Sequence, residues 1–102
     1  MPTLGEQIAA DRKGQGMTQK DLAAQVLKED GEAISPQFLN DIERDRRKPS
    51  HQVLARIAEV LKKNVDEYHL LAGQLPPDLL RGSAEPDRLK EVMRAFRKTY
   101  TR

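Results

Sequence analysis

The segments 18–23 (TQKDLA) and 35–44 (SPQFLNDIER) decide the fold of this 102-residue chain. Each begins with a hydroxyl side chain, Thr18 or Ser35, and such residues are preferred N-caps because the oxygen accepts a hydrogen bond from a free backbone N–H group of the first turn. Pro36 follows Ser35 at the first helical position, where its missing N–H group is tolerated. Apolar residues then recur at three- and four-residue spacing in the second segment. We therefore expect two short successive helices, the second of them amphipathic.

Helix-start signals recur on both sides of these two segments. Thr3 with Glu6 three residues later matches a capping box. Ser50 and Asn64 are N-cap candidates for two further helices, and residues 85–86 open a last amphipathic stretch. No stretch alternates between apolar and polar residues as a strand would. The sequence therefore predicts an all-α fold of five helices with an additional C-terminal helix.

Two short helices followed by a basic loop describe a helix-turn-helix. Residues 17–23 (MTQKDLA) resemble the start of the second helix in the XRE-type regulators, the phage repressor and Cro-like family. Residues 34–44 (ISPQFLNDIER) look like the recognition helix of that family, and residues 46–50 (RRKPS) resemble the loop and cap that follow it. The resemblance covers residues 4–71 and implies a lambda-repressor-like domain that binds operator DNA.

The exposed side chains of the helix predicted at residues 35–44 are candidates for contacts with bases. A recognition helix enters the major groove with its N-terminal end first, so its first exposed side chains meet base edges. Gln37 and Asn40 can each donate and accept in one plane, as a bidentate pair with adenine requires. Phe38 can pack inward or contact a thymine methyl or a sugar, and Asp41 can accept from a cytosine amino group or pair with a basic neighbour. The candidate base contacts are Pro36, Gln37, Phe38, Asn40, Asp41 and Arg44.

Phosphate contacts are expected at the start of the helix that begins after Thr18 and just past the helix predicted at residues 35–44. The resemblance implies a phosphate contact for Gln19, at a helix start where free N–H groups also favour an anion. The candidate phosphate contacts are Thr18, Gln19, Arg46, Arg47 and Lys48. Arg12 and Lys13 are weaker candidates, and Glu43 is expected to hold Arg46, Arg47 or a backbone N–H group within the protein.

The connection at residues 27–33 (LKEDGEA) departs from the usual pattern. A turn in this motif has about 3–4 residues. Either the helix that begins after Thr18 runs one turn longer, or the connection bulges. Three of its residues are acidic, which makes it a poor surface for DNA. We expect it to project away from the phosphates and to leave the docking of the two helices intact.

Composition limits the remaining function classes. The chain has 18 basic and 16 acidic residues, a net charge of +2, no cysteine and two histidines, His51 and His69, that are distant in sequence. A metal site is therefore not expected, and His69 is expected to be partly buried. No phosphate loop, nucleophile motif or apolar run of about 20 residues occurs. We expect a cytoplasmic, non-enzymatic protein without a cofactor or a membrane segment.

The sequence is divided into a DNA-binding domain at residues 1–73 and a C-terminal helical extension at residues 74–102, with a further short helix near residues 78–81. The extension carries more apolar residues than a five-helix core needs. It can pack back on the core or pair two chains, and a homodimer would place two recognition helices about 34 Å apart on a palindromic operator. The candidate dimer or partner surface consists of Leu79, Leu89, Val92, Met93 and Phe96.

The main functional hypothesis is a sequence-specific regulator, most simply a repressor. The alternative is an antitoxin-like or partner-controlled interaction protein whose C-terminal segment binds a toxin or a protease. A third reading is an adaptor that has kept the fold and lost DNA binding, for which the near-neutral net charge is the support.

Overall fold

The computed structural model of the chain describes residues 2–73 and 85–100, with the backbone alone at residues 96, 99 and 100. It contains the helices α1 (Leu4–Gly14), α2 (Gln19–Ala23), α3 (Pro36–Glu43), α4 (His51–Leu61), α5 (Val65–Leu71) and α6 (Pro86–Tyr100). Within these ranges there is no strand, and one isolated antiparallel bridge joins Leu27 to Ala33. The predicted all-α fold class is confirmed, whereas the helix predicted near residues 78–81 lies outside the described residues.

The predicted N-caps are confirmed at five helices. Thr3 and Thr18 each form a complete capping box, with Glu6 and Asp21 as the reciprocating acids. At the starts of the next three helices the side chains of Ser35, Ser50 and Asn64 accept hydrogen bonds from backbone N–H groups of the first turn. These contacts involve neighbours two or three residues away, which is why the sequence alone located the helix starts.

Helix α3 packs between α1 and α2, α4 packs on α1 and α5, and α6 packs on α5. The centre of this arrangement is one apolar cluster to which the first five helices contribute. Its largest fully buried side chains are Tyr68, Ile8, Leu22, Leu39, Ile42, Leu54, Ile57, Leu61 and Val26. The exposed face of α3 is therefore held on a packed core.

A buried tyrosine joins the last core helix to the first. Tyr68 on α5 is fully buried, and its hydroxyl donates to Oδ2 of Asp11 on α1 over 2.6 Å. Burial first, and the hydrogen bond to Asp11 second, raise the pKa of Tyr68 well above its ordinary value. The phenol therefore stays protonated in the fold and keeps α5 and α1 together.

The connection between α2 and α3 bulges as a closed loop. Helix α2 ends at Ala23, so the alternative of an α2 one turn longer is wrong. The N–H group of Lys28 donates to the carbonyl of Glu32 over 2.8 Å, and that of Ile34 donates to the carbonyl of Val26 over 2.9 Å. Val26 and Ile34 are buried, so both ends of the loop are held by the core. The extra residues thus form a closed loop between two helices that still pack on each other, and its Glu29 carboxylate accepts from the hydroxyl of Ser50 at the start of α4 over 3.1 Å.

No helix within the part of the chain that the structure describes is long and apolar enough to cross a membrane.

Candidate nucleic-acid interface

Helices α2 and α3 are joined by a glutamine at the start of α2. The Nε2 of Gln19 donates to Oδ1 of Asn40 over 3.2 Å and to Oε1 of Glu43 over 3.0 Å. Gln19 is half-buried by these contacts. The side chain predicted to meet a phosphate therefore also fixes the position of a predicted base contact, Asn40.

Behind this junction lies a buried ion pair. The Nε and Nη2 atoms of Arg12 donate to the two carboxylate oxygens of Glu43 at 2.8 and 3.0 Å, and Nη1 donates to the carbonyl of Met17 over 2.8 Å. Arg12 and Glu43 are 7% and 8% exposed. The expectation that Glu43 acts within the protein is confirmed, but its partner is Arg12 and not Arg46 or Arg47. The weaker prediction that Arg12 contacts a phosphate is wrong, because Arg12 is buried in this ion pair.

The predicted base-contacting side chains lie along one side of α3. Pro36, Gln37 and Arg44 are exposed, and Asn40 and Asp41 are half-buried. Nε2 of Gln37 donates to Oδ1 of Asp41 over 3.0 Å, and Nε of Arg44 lies 3.4 Å from Oδ1 of Asn40. Asp41 therefore accepts from Gln37, not from a basic neighbour. These polar side chains therefore hold one another along the exposed side of α3.

Phe38 differs from the other candidate base contacts. It is half-buried and packs against the core cluster. The guanidinium carbon of Arg47 lies 4.1 Å from the centroid of its ring, a cation–π distance. Of the two alternatives that the sequence left open for Phe38, the structure favours inward packing.

The basic loop after α3 is fixed by an aspartate that the sequence reasoning missed. Asp45 has a left-handed backbone with φ of 59°, and its carboxylate accepts from the hydroxyl of Thr3 over 2.6 Å and from the N–H group of Gly5 over 3.0 Å. The N–H group of Arg46 donates to the carbonyl of Asp41 over 2.8 Å. An Asp directly after a helix tolerates positive φ better than most residues, and this was the available signal for Asp45. Arg46, together with Arg47 and Lys48, is exposed on this fixed loop.

The start of α2 offers a second polar edge. Thr18 is exposed, and its oxygen accepts from the N–H group of Asp21 over 3.0 Å. The Asp21 carboxylate accepts from the N–H group of Thr18 over 3.1 Å, and this bond, ahead of the one with the Thr18 side chain, lowers the pKa of Asp21. Asp21 is therefore a charged neighbour of the predicted phosphate contacts Thr18 and Gln19.

The two histidines, distant in sequence, meet in the fold. The rings of His51 and His69 have centroids 5.1 Å apart. His69 is 2% exposed, so its predicted burial is confirmed, and its buried Nδ1 has no hydrogen-bond partner among the residues that the structure describes. Burial first, and the neighbouring His51 second, lower the pKa of His69. Among the described residues no group of three or more metal-ligating side chains occurs.

The predicted partner surface is divided by the packing of α6. Val92 is 4% exposed and buried within the chain, whereas Leu89 is 43% exposed and Met93 is half-buried. Val92 is therefore not available to a partner in this arrangement. Leu79 and the side chain of Phe96 lie outside the described residues.

The fold and this interface define a class of protein. A short capped helix, a second amphipathic helix docked on it with an exposed polar face, and a basic loop beyond it form the helix-turn-helix of a DNA-binding regulator. The exposed face is supported from behind by the Arg12–Glu43 ion pair and from the side by Asp45.

Comparison with known proteins gives the family. The helix-turn-helix family model matches residues 8–68, which is more than half of the chain. The chain therefore belongs to the helix-turn-helix family, and the resemblance to its XRE-type regulators is confirmed.

Two curated fungal proteins are similar to this chain. Multiprotein-bridging factor 1 of Eremothecium gossypii is 38% identical over 60 residues, which is 59% of this chain and 36% of that protein. A protein of Yarrowia lipolytica described as a multi-protein-binding factor 1 is 36% identical over 59 residues, which is 58% of this chain and 35% of that protein. The chain thus matches only about a third of the length of these relatives.

A solved structure is similar over most of the chain. The clp gene regulator ClgR of Corynebacterium glutamicum superimposes with a TM-score of 0.58, covering 97% of this chain and 92% of that one. The two sequences are 21% identical, so this likeness shows the fold alone.

Proposed function

We propose that this chain is a sequence-specific transcription regulator that binds operator DNA through α3, with repression as its simplest mode. The observation that carries the proposal is the exposed polar side of α3, which is docked through Gln19 on α2 and continues into the exposed cations of the basic loop. Gln37 and Asn40 contact bases, and Arg46, Arg47 and Lys48 contact phosphates.

Selection of bound DNA from a random pool, followed by titration of the selected site, tests the proposal. Gln37→Ala and Asn40→Ala are expected to relax base preference, at about 1–3 kcal/mol for each lost bidentate contact. Gln52→Ala is the matched control, because Gln52 is an exposed glutamine on α4. If no sequence is enriched, or if the α3 variants behave like the control, the proposal is wrong.

The basic loop is tested by its salt dependence. Replacing Arg46 by Gln is expected to weaken binding to every sequence alike and to reduce the slope of log Kd against log salt by about 0.9 for each lost phosphate contact. Lys63→Gln is a control of equal charge change. Lys63 is exposed past the C-terminal end of α4, and its Nζ lies 3.8 Å from Oδ1 of Asp11 on α1. An unchanged slope for Arg46→Gln would place this residue away from the phosphates.

The finer part of the proposal is a homodimer on a palindromic operator. The C-terminal helix would pair two chains through Leu89 and Met93, and the two recognition helices would then lie about 34 Å apart. Light scattering of the wild type and of Leu89→Glu tests this. We expect a dimer for the wild type, a monomer for the variant, and retained half-site binding for the variant. A wild type that is monomeric with and without DNA would refute the dimer.

A second candidate function is control by a protein partner. It is favoured by the exposed Leu89 on α6 and by the names of the two fungal relatives, which describe proteins that bridge or bind several proteins. The partner would be a toxin or a protease that binds the C-terminal helix. Isothermal titration of such a protein, encoded beside this chain, against the wild type and Leu89→Glu would test it. Equal affinity for both would exclude α6 as the binding surface.

A further inference from the structure

The ring of Phe38 lies between the recognition helix and the basic loop. Phe38 is the third residue of α3, and its N–H group donates to the Ser35 cap over 3.0 Å. Its ring is half-buried and packs on the core cluster. A ring held in this way has one face available to a neighbour and little freedom to turn toward a base.

The neighbour on that ring is the guanidinium group of Arg47. Its central carbon lies 4.1 Å from the ring centroid, although the two residues are nine positions apart and α3 ends between them. The loop that carries Arg47 is fixed on the preceding side, because the N–H group of Arg46 donates to Asp41 and the Asp45 carboxylate accepts from Thr3 and Gly5. The stacking therefore fixes the end of a long side chain whose backbone is already held.

Stacking uses only part of a guanidinium group. The guanidinium carbon lies over the ring, and the N–H donors of the planar group that do not point at the ring remain able to bond with a phosphate. Arg47 is exposed, so these donors have access to a ligand. An arginine that is already oriented loses less conformational freedom when it binds.

We infer that Phe38 is a positioning residue, which orients Arg47 for a DNA phosphate and does not itself contact a base. The inference rests on the proposed DNA binding. It replaces one predicted base contact with an indirect role in binding the backbone.

A double-mutant cycle on the selected DNA site tests the inference. Phe38→Leu keeps an apolar side chain and removes the ring face, and Arg47→Gln removes the cation. Phe38→Leu is expected to weaken binding about two- to five-fold, as loss of a cation–π contact would, for all sequences alike. It should add little to the effect of Arg47→Gln, whereas it should multiply with Arg46→Gln, the matched control for a neighbouring arginine. Phe38→Tyr should restore wild-type affinity.

Two further readouts separate positioning from a structural effect. Phe38→Leu should reduce the salt slope toward that of Arg47→Gln, and it should leave the base preference of the selected site unchanged. In the free protein, the Cδ protons of Arg47 should show an upfield NMR shift from the ring current, which Phe38→Leu abolishes and Phe38→Tyr keeps. Arg47→Lys leaves Phe38 and the charge at position 47 in place. This variant should nevertheless lose part of the affinity for DNA.

Distinct outcomes overturn the inference and the proposed function. Independent, multiplicative effects of Phe38→Leu and Arg47→Gln, or a changed base preference in Phe38→Leu, would overturn the positioning role while DNA binding stands. Failure of the wild type to bind any sequence in the same titration would overturn the proposed function itself.

Discussion

At the residue scale, Gly5 is the point where α1 passes closest to the recognition helix. A Cβ atom at this position would lie 2.5 Å from the backbone carbonyl oxygens of Ile42 and Glu43. Since neither backbone can move without shifting α3, Gly5→Ala is expected to destabilise the fold by at least about 1–3 kcal/mol. Urea denaturation followed by circular dichroism measures this.

Gly14 supplies the control for that substitution. It is in the same helix, and a Cβ atom there would meet nothing within 4 Å. Gly14→Ala should leave stability unchanged or raise it by up to about 1 kcal/mol, as helix propensity predicts. Equal midpoints for the two alanine variants would mean that α1 and α3 do not approach as closely as described.

The second residue-scale prediction concerns the buried pair of Arg12 and Glu43. Glu43→Ala leaves a buried guanidinium group without its carboxylate, and such a change costs about 3–5 kcal/mol. The double replacement Arg12→Met with Glu43→Leu should recover most of that loss, because two apolar side chains need no counter-charge. The free energy of unfolding of both variants checks this.

The exposed pair of Arg56 and Glu59 on α4 is the comparison for that measurement. Nη1 of Arg56 lies 3.3 Å from Oε2 of Glu59, and the two side chains are 41% and 70% exposed. Glu59→Ala should therefore cost less than about 1 kcal/mol. A Glu43→Ala variant as stable as Glu59→Ala would contradict the burial of the first pair.

At the element scale, the acidic loop between α2 and α3 has its ends held by Val26 and Ile34, and its Glu29 carboxylate accepts from the hydroxyl of Ser50 over 3.1 Å. Replacing Glu29, Asp30 and Glu32 with their amides keeps polar acceptors and removes three charges. If the loop projects away from DNA by more than a Debye length of about 8 Å, the affinity should change less than about two-fold at physiological salt. Gel-shift titration of this variant measures it.

Arg46→Gln in the same titration is the comparison, since Arg46 is proposed to contact a phosphate. A strong rise in affinity for the triple amide variant would instead place the loop beside the phosphates, and the expected orientation of the loop would be wrong.

The same element shows how far local sequence signals extend. Helix starts were predictable because the decisive bond joins residues two or three apart, as between Ser35 and Phe38. The unusual length of the loop was visible in the sequence. Its closure was not, because it depends on both Val26 and Ile34 reaching the core. The contacts that fix the candidate interface could not be predicted from local sequence. Asp45 bonds to Thr3 across 42 positions, and Arg12 bonds to Glu43 across 31 positions.

At the scale of the whole molecule, a histidine ties stability to pH at the place where three helices meet. His69 on α5 lies against His51 of α4, and the charges of Asp66 on α5 and Arg88 on α6 act on it. Arg88 also donates to both oxygens of Asp66, at 2.8 and 2.9 Å. The surroundings of His69 are thus set by three successive helices, α4, α5 and α6.

The direction of the pH dependence follows from the lowered pKa of His69. Its pKa in the folded chain lies below the unfolded value of about 6.5, so the unfolded chain binds a proton that the folded chain does not. Stability is therefore complete above about pH 6.5 and falls as the pH decreases from there toward the folded pKa. Denaturation at a series of pH values between about 5 and 8 should show this fall in the wild type.

Substitution of each histidine in turn assigns the effect. His69→Gln should remove most of the decline between those pH values, whatever its effect on absolute stability. His51→Gln, at the exposed member of the pair, should keep the decline because the burial of His69 is the main cause of its shift. A decline that survives unchanged in His69→Gln would mean that the burial of His69 is not its cause.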